Sequence, residues 1–529
     1  MRVLVVTGQL AKDIVREVLE GTSLEYEVCD LPVQVASLMS PTYIAWKLQG
    51  RSLSKVDCIL IPGLVKGDAS KVTEKTGLRC WKGPKNAADL PQTINMIGKI
   101  RLSTIRPADE ILRKVTRREV EATLIRIEME AEMNACEEST LTIGVGERSV
   151  KVGPGLPMRV LAEIVDAPTY PPEEVVEIAK RFEDSGADII DVGMVAGGGH
   201  EGEAARIVKV LRGSISKPVS IDTADPSEIE AAVEAGADLI LSVNAENMCE
   251  LSEHVKETPV VVTSSGRGGI LSHDPFARVE QLVENMNMAR SLGFKKLIAD
   301  PILDPPLTMG TAKSLSAYLK YRELDPRTPM LFGSGNVTEL LDGDSYGVNL
   351  LLACLASEVG ANIILTTEAS IKTRGSVKEA VTAARMVEIA RYRKTPPKDL
   401  GLNLLRMKEK TWREEPHRAP GEMKQIKVES RRRKKIGDPG GSFKISLDRE
   451  RGQIVMRHYP YGAVEPDLYI EGSDPEGLID TLIDSRLVTR LEHAFYLGKE
   501  LEKAKIALET GKCYIQDFKL DFGEYIDRI

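Results

Sequence analysis

Cysteine pairs, long apolar runs and an excess of positive charge are all missing from this chain. The seven cysteines, at positions 29, 58, 80, 136, 249, 354 and 513, never fall at C-x-x-C spacing. That scatter argues against a zinc knuckle or an iron–sulfur cluster, so no metal site is expected, and it suits a reducing compartment. No apolar run approaches the roughly 20 residues of a membrane helix. The opening Met1-Arg2-Val3-Leu4-Val5-Val6 turns at Gly8 without the basic-then-apolar order of a signal peptide. The expected location is cytoplasmic, with no membrane partner. Net charge is -8 and the sequence pI about 5.6, so a nucleic-acid-binding surface is not expected. The basic run Arg431-Arg432-Arg433-Lys434-Lys435 lies in a polar stretch flanked by Gly and Pro and reads as a solvated linker.

What remains is an ordinary globular composition, 42% hydrophobic and 28% charged. At 529 residues the chain exceeds what one core supports, and roughly three or four domains are expected. Residues 1–135 alternate strand and helix patterns and read as an open, Rossmann-like α/β domain. Residues 136–395 hold eight strand–helix units. Their strands are Arg159–Val165, Asp188–Val192, Val219–Asp222, Leu239–Val243, Val260–Thr263, Lys296–Asp300, Met330–Gly333 and Ile363–Thr367. Each is apolar and rich in β-branched residues, as in strands buried on both faces. Eight such units over roughly 240 residues fit a (β/α)8 barrel. Residues 396–440 read as a linker. Residues 441–529, with strand signals followed by helical ones, read as a small C-terminal α/β domain.

The stretch Lys217-Pro218-Val219-Ser220-Ile221-Asp222-Thr223 ends a buried strand on a carboxylate. An α/β barrel places its chemistry at that end of the strands, although Asp also caps helices. Gly186-Ala187-Asp188-Ile189-Ile190-Asp191-Val192-Gly193 and Gly236-Ala237-Asp238-Leu239-Ile240 repeat the form. Asp300-Pro301 ends the sixth strand, and Ile240-Leu241-Ser242-Val243-Asn244 ends the fourth. Gly333-Ser334-Gly335-Asn336-Val337-Thr338 follows the seventh. After the eighth come Lys372, Arg374 and Ser376, two cations before a helix N-terminus, which suits an anion such as phosphate. Solvated charges are the plain alternative for them.

Together these segments resemble the pterin-binding barrel family of dihydropteroate synthases and methyltetrahydrofolate methyltransferases. Over its whole length the chain looks most like archaeal dihydropteroate synthase-related proteins. The resemblance implies that Asp222 holds the pterin ring on the side of its distal nitrogens. It implies that Asp300 meets the exocyclic amine and ring nitrogen, with Asn244 as a further contact. A carboxylate accepts from two neighbouring donors of a flat ring at once. Asn336 resembles the Asn that meets N5 in methyltransferases. The synthase's strand-7 Lys, its "NVTPDSFSDGG" loop and its strand-8 Arg-x-His are missing here.

Two chemistries follow for a reduced pterin of the folate or methanopterin type. One is methyl transfer from N5, with Asn336 and Asp222 in the catalytic role. The other is condensation of a pterin diphosphate with an arylamine, with Lys372, Arg374 and Ser376 gripping phosphate. A non-catalytic pterin-binding protein is the third reading. His493, in Arg490-Leu491-Glu492-His493, faintly resembles domains related to a corrinoid-carrying methyltransferase subunit. A corrinoid, or a corrinoid protein as partner, is implied on that basis. A packed histidine on an amphipathic helix is the alternative. The oligomeric state is left open, a homodimer being one arrangement.

Overall fold

The computed structural model describes residues 1–522 except 21, 23–24, 86, 267–271, 309, 399 and 409–436. The basic run 431–435 and most of the expected linker lie outside the described residues. The chain divides into two compact units. The first takes in Met1–Leu341, Ser345–Thr367 and Ser376–Arg418, and the second Asp342–Asp344, Glu368–Gly375 and Ala419–Ile529.

In the first unit, β1 (Arg2–Gly8), β2 (Glu25–Leu31), β3 (Cys58–Ile61) and β4 (Arg79–Lys82) form a parallel sheet of order β2-β1-β3-β4. A hairpin follows, β5 (Leu141–Val145) and β6 (Arg148–Val152), joined through Gly146 at a φ of 59°. The barrel strands are β7 (Arg159–Ile164), β8 (Ile189–Gly193), β9 (Val219–Asp222), β10 (Leu239–Val243), β11 (Val260–Thr263), β12 (Leu297–Asp300), β13 (Leu331–Gly333) and β14 (Ile363–Thr367). All eight are parallel, in the order β12-β11-β10-β9-β8-β7-β14-β13. A bridge between Ala299 and Met330 joins the two edges. This is the (β/α)8 barrel expected from the sequence, with strand bounds shifted by a residue or less.

Two layers of apolar side chains hold the barrel. Inward-pointing Leu161, Ile189, Leu239, Leu241, Val261, Ile298, Leu331 and Ile363 fill its lower interior. Ile143 and Val152 of the hairpin join that cluster, so β5–β6 plugs the amino-terminal end. Outward-pointing residues such as Val160, Ile190, Ile221 and Ile240 pack under the surrounding helices. The helix Ala108–Met133 adds Val120 and Ile127 to this outer core. Neither the hairpin nor this 26-residue helix is anticipated in the sequence reading above.

The second unit carries an antiparallel sheet, β15 (Ser442–Asp448), β16 (Gln453–Tyr459) and β17 (Leu468–Gly472). Helices Pro475–Asp484 and Leu491–Thr510 close its core through Leu478, Leu482, Leu497 and Leu501. No helix among the described residues is long and apolar enough to cross a membrane.

One ion pair pins the loop after β12. Arg278, fully buried on helix Pro275–Ser291, binds both carboxylate oxygens of Asp304, which also accepts from Ser314 Oγ. Removing one partner of a buried pair strands the other charge and costs about 3–5 kcal/mol. Asp304→Ala is therefore expected to lower unfolding free energy by about that amount in urea titrations. A loss below about 1 kcal/mol would mean that Arg278 finds another partner.

Candidate functional site

The carboxyl ends of the barrel strands gather a set of acids that strand register brings together. Glu163 on β7 lies opposite Asp191 on β8. Asp191 in turn lies opposite Ser220 on β9, and Gly193 opposite Asp222. Inward alternation then turns Glu163, Asp191 and Asp222 toward one another, and one oxygen from each lies within 4.8 Å of the others. Gly193 is what leaves the space, since a Cβ there would stand 2.6 Å from Glu163 Oε1. Asp191 is fully buried; its Oδ1 accepts from Ser220 Oγ, while its Oδ2 has no hydrogen-bond partner. Glu163 and Asp222 are partly accessible from the mouth.

Asp222 owes its second neighbour to a bulge in β10. Between Ile240 and Val243 the register against β11 slips by one residue, and Ser242 takes a left-handed φ of 65°. That extra residue turns a side chain inward that regular alternation would send outward. Ser242 Oγ thus donates to Asp222 Oδ1 at 2.6 Å. On β12, Asp300 Oδ1 accepts from the Ile302 backbone N–H at 2.8 Å and from Tyr318 Oη at 3.2 Å. Ile302 is left-handed too, at a φ of 67°.

Burial raises the pKa of each of these acids. Glu163 is pushed up to about 7 by burial and then by the neighbouring Asp222 and Asp166 charges. Asp300 rises to about 6, because burial outweighs the donors at Ile302 and Tyr318. Asp191 goes well above the usual carboxylate range through burial, Asp222 and Glu163. Asp222 is raised by burial against the opposing Ser242 hydrogen bond. Such a set of shifted groups in a barrel mouth is the pattern of a functional site.

The structure brings only some of the residues singled out in the sequence together. Asp222 and Asp300 stand at the barrel mouth, close enough for the Asp222 charge to raise Asp300. Asn336 is exposed on the short helix Gly335–Thr338 after β13, its Nδ2 donating to Leu303 O at 3.0 Å. Gly333 leaves room for that amide, its would-be Cβ being 3.1 Å from Asn336 Nδ2. Asn244 is buried and turned onto its own loop, where its Oδ1 accepts from Glu246 N at 2.8 Å. Ser242, not Asn244, reaches Asp222. Glu163, Asp191, Ser242 and Tyr318 are not among the site residues read from the sequence. The usable signal for the first two is an ionisable residue inside an otherwise apolar strand.

The expected anion residues divide between the two units. Lys372 pairs with Asp342 at 3.0 Å within the second unit, and Arg374 is exposed there. Ser376 belongs to the first unit, fully buried, its Oγ accepting from Asn349 Nδ2 at 3.2 Å. In the second unit His493 Nδ1 donates to Asp438 Oδ2 at 2.9 Å, and the ring packs between Phe443 and Tyr496. Asp438 also accepts from Thr489 and from the Gly440, Thr489 and Arg490 amides. Despite burial, these donors hold its pKa well below the usual range. The cluster accounts for His493 as an anchor of its own fold.

Comparison with known proteins agrees with the class that the barrel and its mouth define. The family described as "Pterin binding enzyme" matches residues 167–366, the barrel itself. Residues 1–85 match a family of unknown function, DUF6513, and residues 437–517 match the family PterinBD-DUF4346. An uncharacterized protein of Methanocaldococcus jannaschii is 37% identical, over 98% of this chain and 99% of its own. The chain belongs to the same family as that protein, and its barrel matches the pterin-binding enzyme family. Among solved structures, Xanthomonas albilineans dihydropteroate synthase with 4-aminobenzoic acid is similar at 22% identity. It covers 48% of this chain and 98% of its own, with a TM-score of 0.40. The Yersinia pestis dihydropteroate synthase in complex with a sulfonamide drug is similar at 19% identity. It covers 48% of this chain and 99% of its own, at a TM-score of 0.39.

The raised Asp300 fixes a pH dependence. Its folded pKa of about 6 exceeds the ordinary 3.8, so the folded state binds the proton more tightly. Stability is then greatest below the ordinary value and is lost as pH rises from about 4 to about 6, by on the order of 2–3 kcal/mol. Asp300→Asn keeps an acceptor for Ile302 N and carries no charge. Relative to wild type, it is expected to be more stable at pH 8 than at pH 4. Urea midpoints that differ equally at both pH values would show that Asp300 ionises without penalty.

Proposed function

We propose that the protein is a transferase that binds a reduced folate- or methanopterin-type pterin in the barrel mouth and moves the methyl group carried on N5. The observation that carries the reading is the pair of half-buried carboxylates Asp222 and Asp300, which interact at the strand ends of the barrel, with the amide of Asn336 exposed on the short helix after β13. Two carboxylates suit the donor groups of a flat pterin, and a partly dry site strengthens each hydrogen bond. Asn336 supports the choice of chemistry. Its Nδ2 is committed to Leu303 O, which leaves Oδ1 as the open acceptor. As the methyl group leaves, N5 takes up a proton and becomes an N–H donor to such an oxygen. The condensation alternative needs a phosphate clamp, for which Lys372, paired with the exposed Asp342, and Arg374 are the candidate cations.

Both carboxylates are testable by calorimetry with a reduced pterin. An amide at either position sets a donor against a ring donor, a mispairing of ~1–3 kcal/mol. Asp222→Asn and Asp300→Asn are each expected to weaken pterin binding about tenfold to a hundredfold. Unchanged affinity in a folded variant would take that residue out of the site.

The reaction is tested through Asn336. Its contact strengthens only as N5 gains its proton. Asn336→Ala should therefore slow single-turnover transfer from a methylated pterin to cob(I)alamin far more than it weakens pterin binding. A wild-type protein that makes no such transfer but joins a pterin diphosphate to an arylamine would replace methyl transfer with condensation. Binding without either turnover would leave a pterin-binding protein.

A further inference from the structure

Glu163, Asp191 and Asp222 bring three carboxyl groups together with no cationic side chain paired to them among the described residues. Three carboxylates place an oxygen each within 4.8 Å of one another inside a barrel. None of them makes an ion pair with a Lys, Arg or His among the described residues. Among the described residues, the side chains that donate hydrogen bonds to their carboxyl groups are Ser220, to Asp191, and Ser242, to Asp222. A hydroxyl offers one hydrogen bond and no net charge. Taking several like charges out of water without compensation costs many kcal/mol.

The second observation is Asp191 itself. The side chain is fully buried, one oxygen takes the Ser220 hydroxyl, and the other finds no donor at all. Buried polar atoms in folded proteins are almost always satisfied, so an orphaned carboxylate oxygen in a convergent cluster points to a group that belongs there. The residues around it maintain the gap. Gly193, opposite Asp222 in the sheet, is the one residue type that leaves Glu163 Oε1 where it stands.

We propose that Glu163, Asp191 and Asp222 bind a divalent cation of the hard, oxygen-preferring kind, Mg2+ or Mn2+, in the barrel interior at the pterin-facing mouth. The donor set consists of carboxylate oxygens, with no thiolate or imidazole, and this selects against Zn2+ and Cu2+. A divalent charge offsets two of the three negative charges at once. Three protein oxygens leave the remaining positions of a six-coordinate ion to water or ligand. Asp222 then belongs to two sites, so the cation sets how much negative charge Asp222 can offer to a ring donor. Cation binding is a property of the empty barrel and does not rest on the pterin reading.

The test uses the full chain freed of metal by chelation, with Mn2+ followed by electron paramagnetic resonance and no pterin present. One saturable Mn2+ per chain, displaced by Mg2+, is expected, together with a higher thermal midpoint. Glu163→Gln and Asp191→Asn are each expected to weaken it by at least about tenfold, the scale on which even supporting residues of metal sites act. Circular dichroism checks that each variant is folded. Should Asp191→Asn fail to fold, Glu163→Gln decides, because Glu163 lies at the more open side of the cluster. Absence of saturable Mn2+ binding overturns the proposal and assigns the charge balance to protons. Wild-type affinity in a folded Glu163→Gln variant overturns it too. Pterin affinity is measured separately by calorimetry, so a lost cation site and a failed pterin site give different results.

Discussion

The inward register of three neighbouring parallel strands governs the whole mouth of this barrel. Once Glu163 pairs across to Asp191, and Gly193 to Asp222, alternation leaves the acids no other direction than inward. The apolar layer beneath them, closed by Ile143 and Val152 of the hairpin, keeps water from the other side. Burial then acts on all of the acids together. Glu163 and Asp300 move toward neutral pH, and Asp191 is raised well above the ordinary carboxylate range. The chemistry available at the site is thus set by strand pairing before any loop is considered.

Loops adjust what the strands impose, and they do so under strain. Two non-glycine residues next to the mouth acids, Ser242 and Ile302, hold left-handed backbone conformations. Each conformation costs on the order of 1–3 kcal/mol, and such outliers gather at functional sites. Both have a visible return. Ser242 brings a hydroxyl to Asp222, and Ile302 points its N–H at Asp300. The loop that carries Ile302 is in turn tied down by Arg278 and Asp304, and its Leu303 carbonyl orients Asn336. The buried Arg278–Asp304 pair thus sits one residue from the carbonyl that holds the Asn336 amide.

The barrel is legible in the sequence because strands buried on both faces leave continuous apolar runs, such as Val219-Ser220-Ile221 and Ile363-Ile364-Leu365. Asp222 and Asp300 are legible because each ends such a run. Glu163 and Asp191 are harder to see. Each is followed by one or two further apolar residues, and only pairing across β7 and β8 shows that they converge. Ser242 is invisible without the bulge, since regular alternation with Leu239 and Leu241 inside sends it outward. The hairpin does have a signal, Ile143-Gly144-Val145-Gly146-Glu147-Arg148, alternation broken by a glycine turn, but it is short and precedes a stronger pattern. The structural partners of His493 and Lys372 are hidden in the sequence for a different reason. Their partners, Asp438 and Asp342, are distant in sequence, and only the fold shows that both are already engaged.

The two halves of the mouth hold their acids by different means, and this separates their roles. Asp300 has its own donors from Ile302 and Tyr318, which offset part of the cost that burial puts on its charge. The Glu163–Asp191–Asp222 side has two hydroxyls for three carboxylates and no cation among the described residues. A flat ring that spans the mouth would meet an acid with its own donors at one edge and an under-compensated cluster at the other. Proton or metal uptake on the cluster side would then change the affinity for the ring by altering Asp222 alone. Asp222 is the residue through which the barrel interior can govern what binds at its surface.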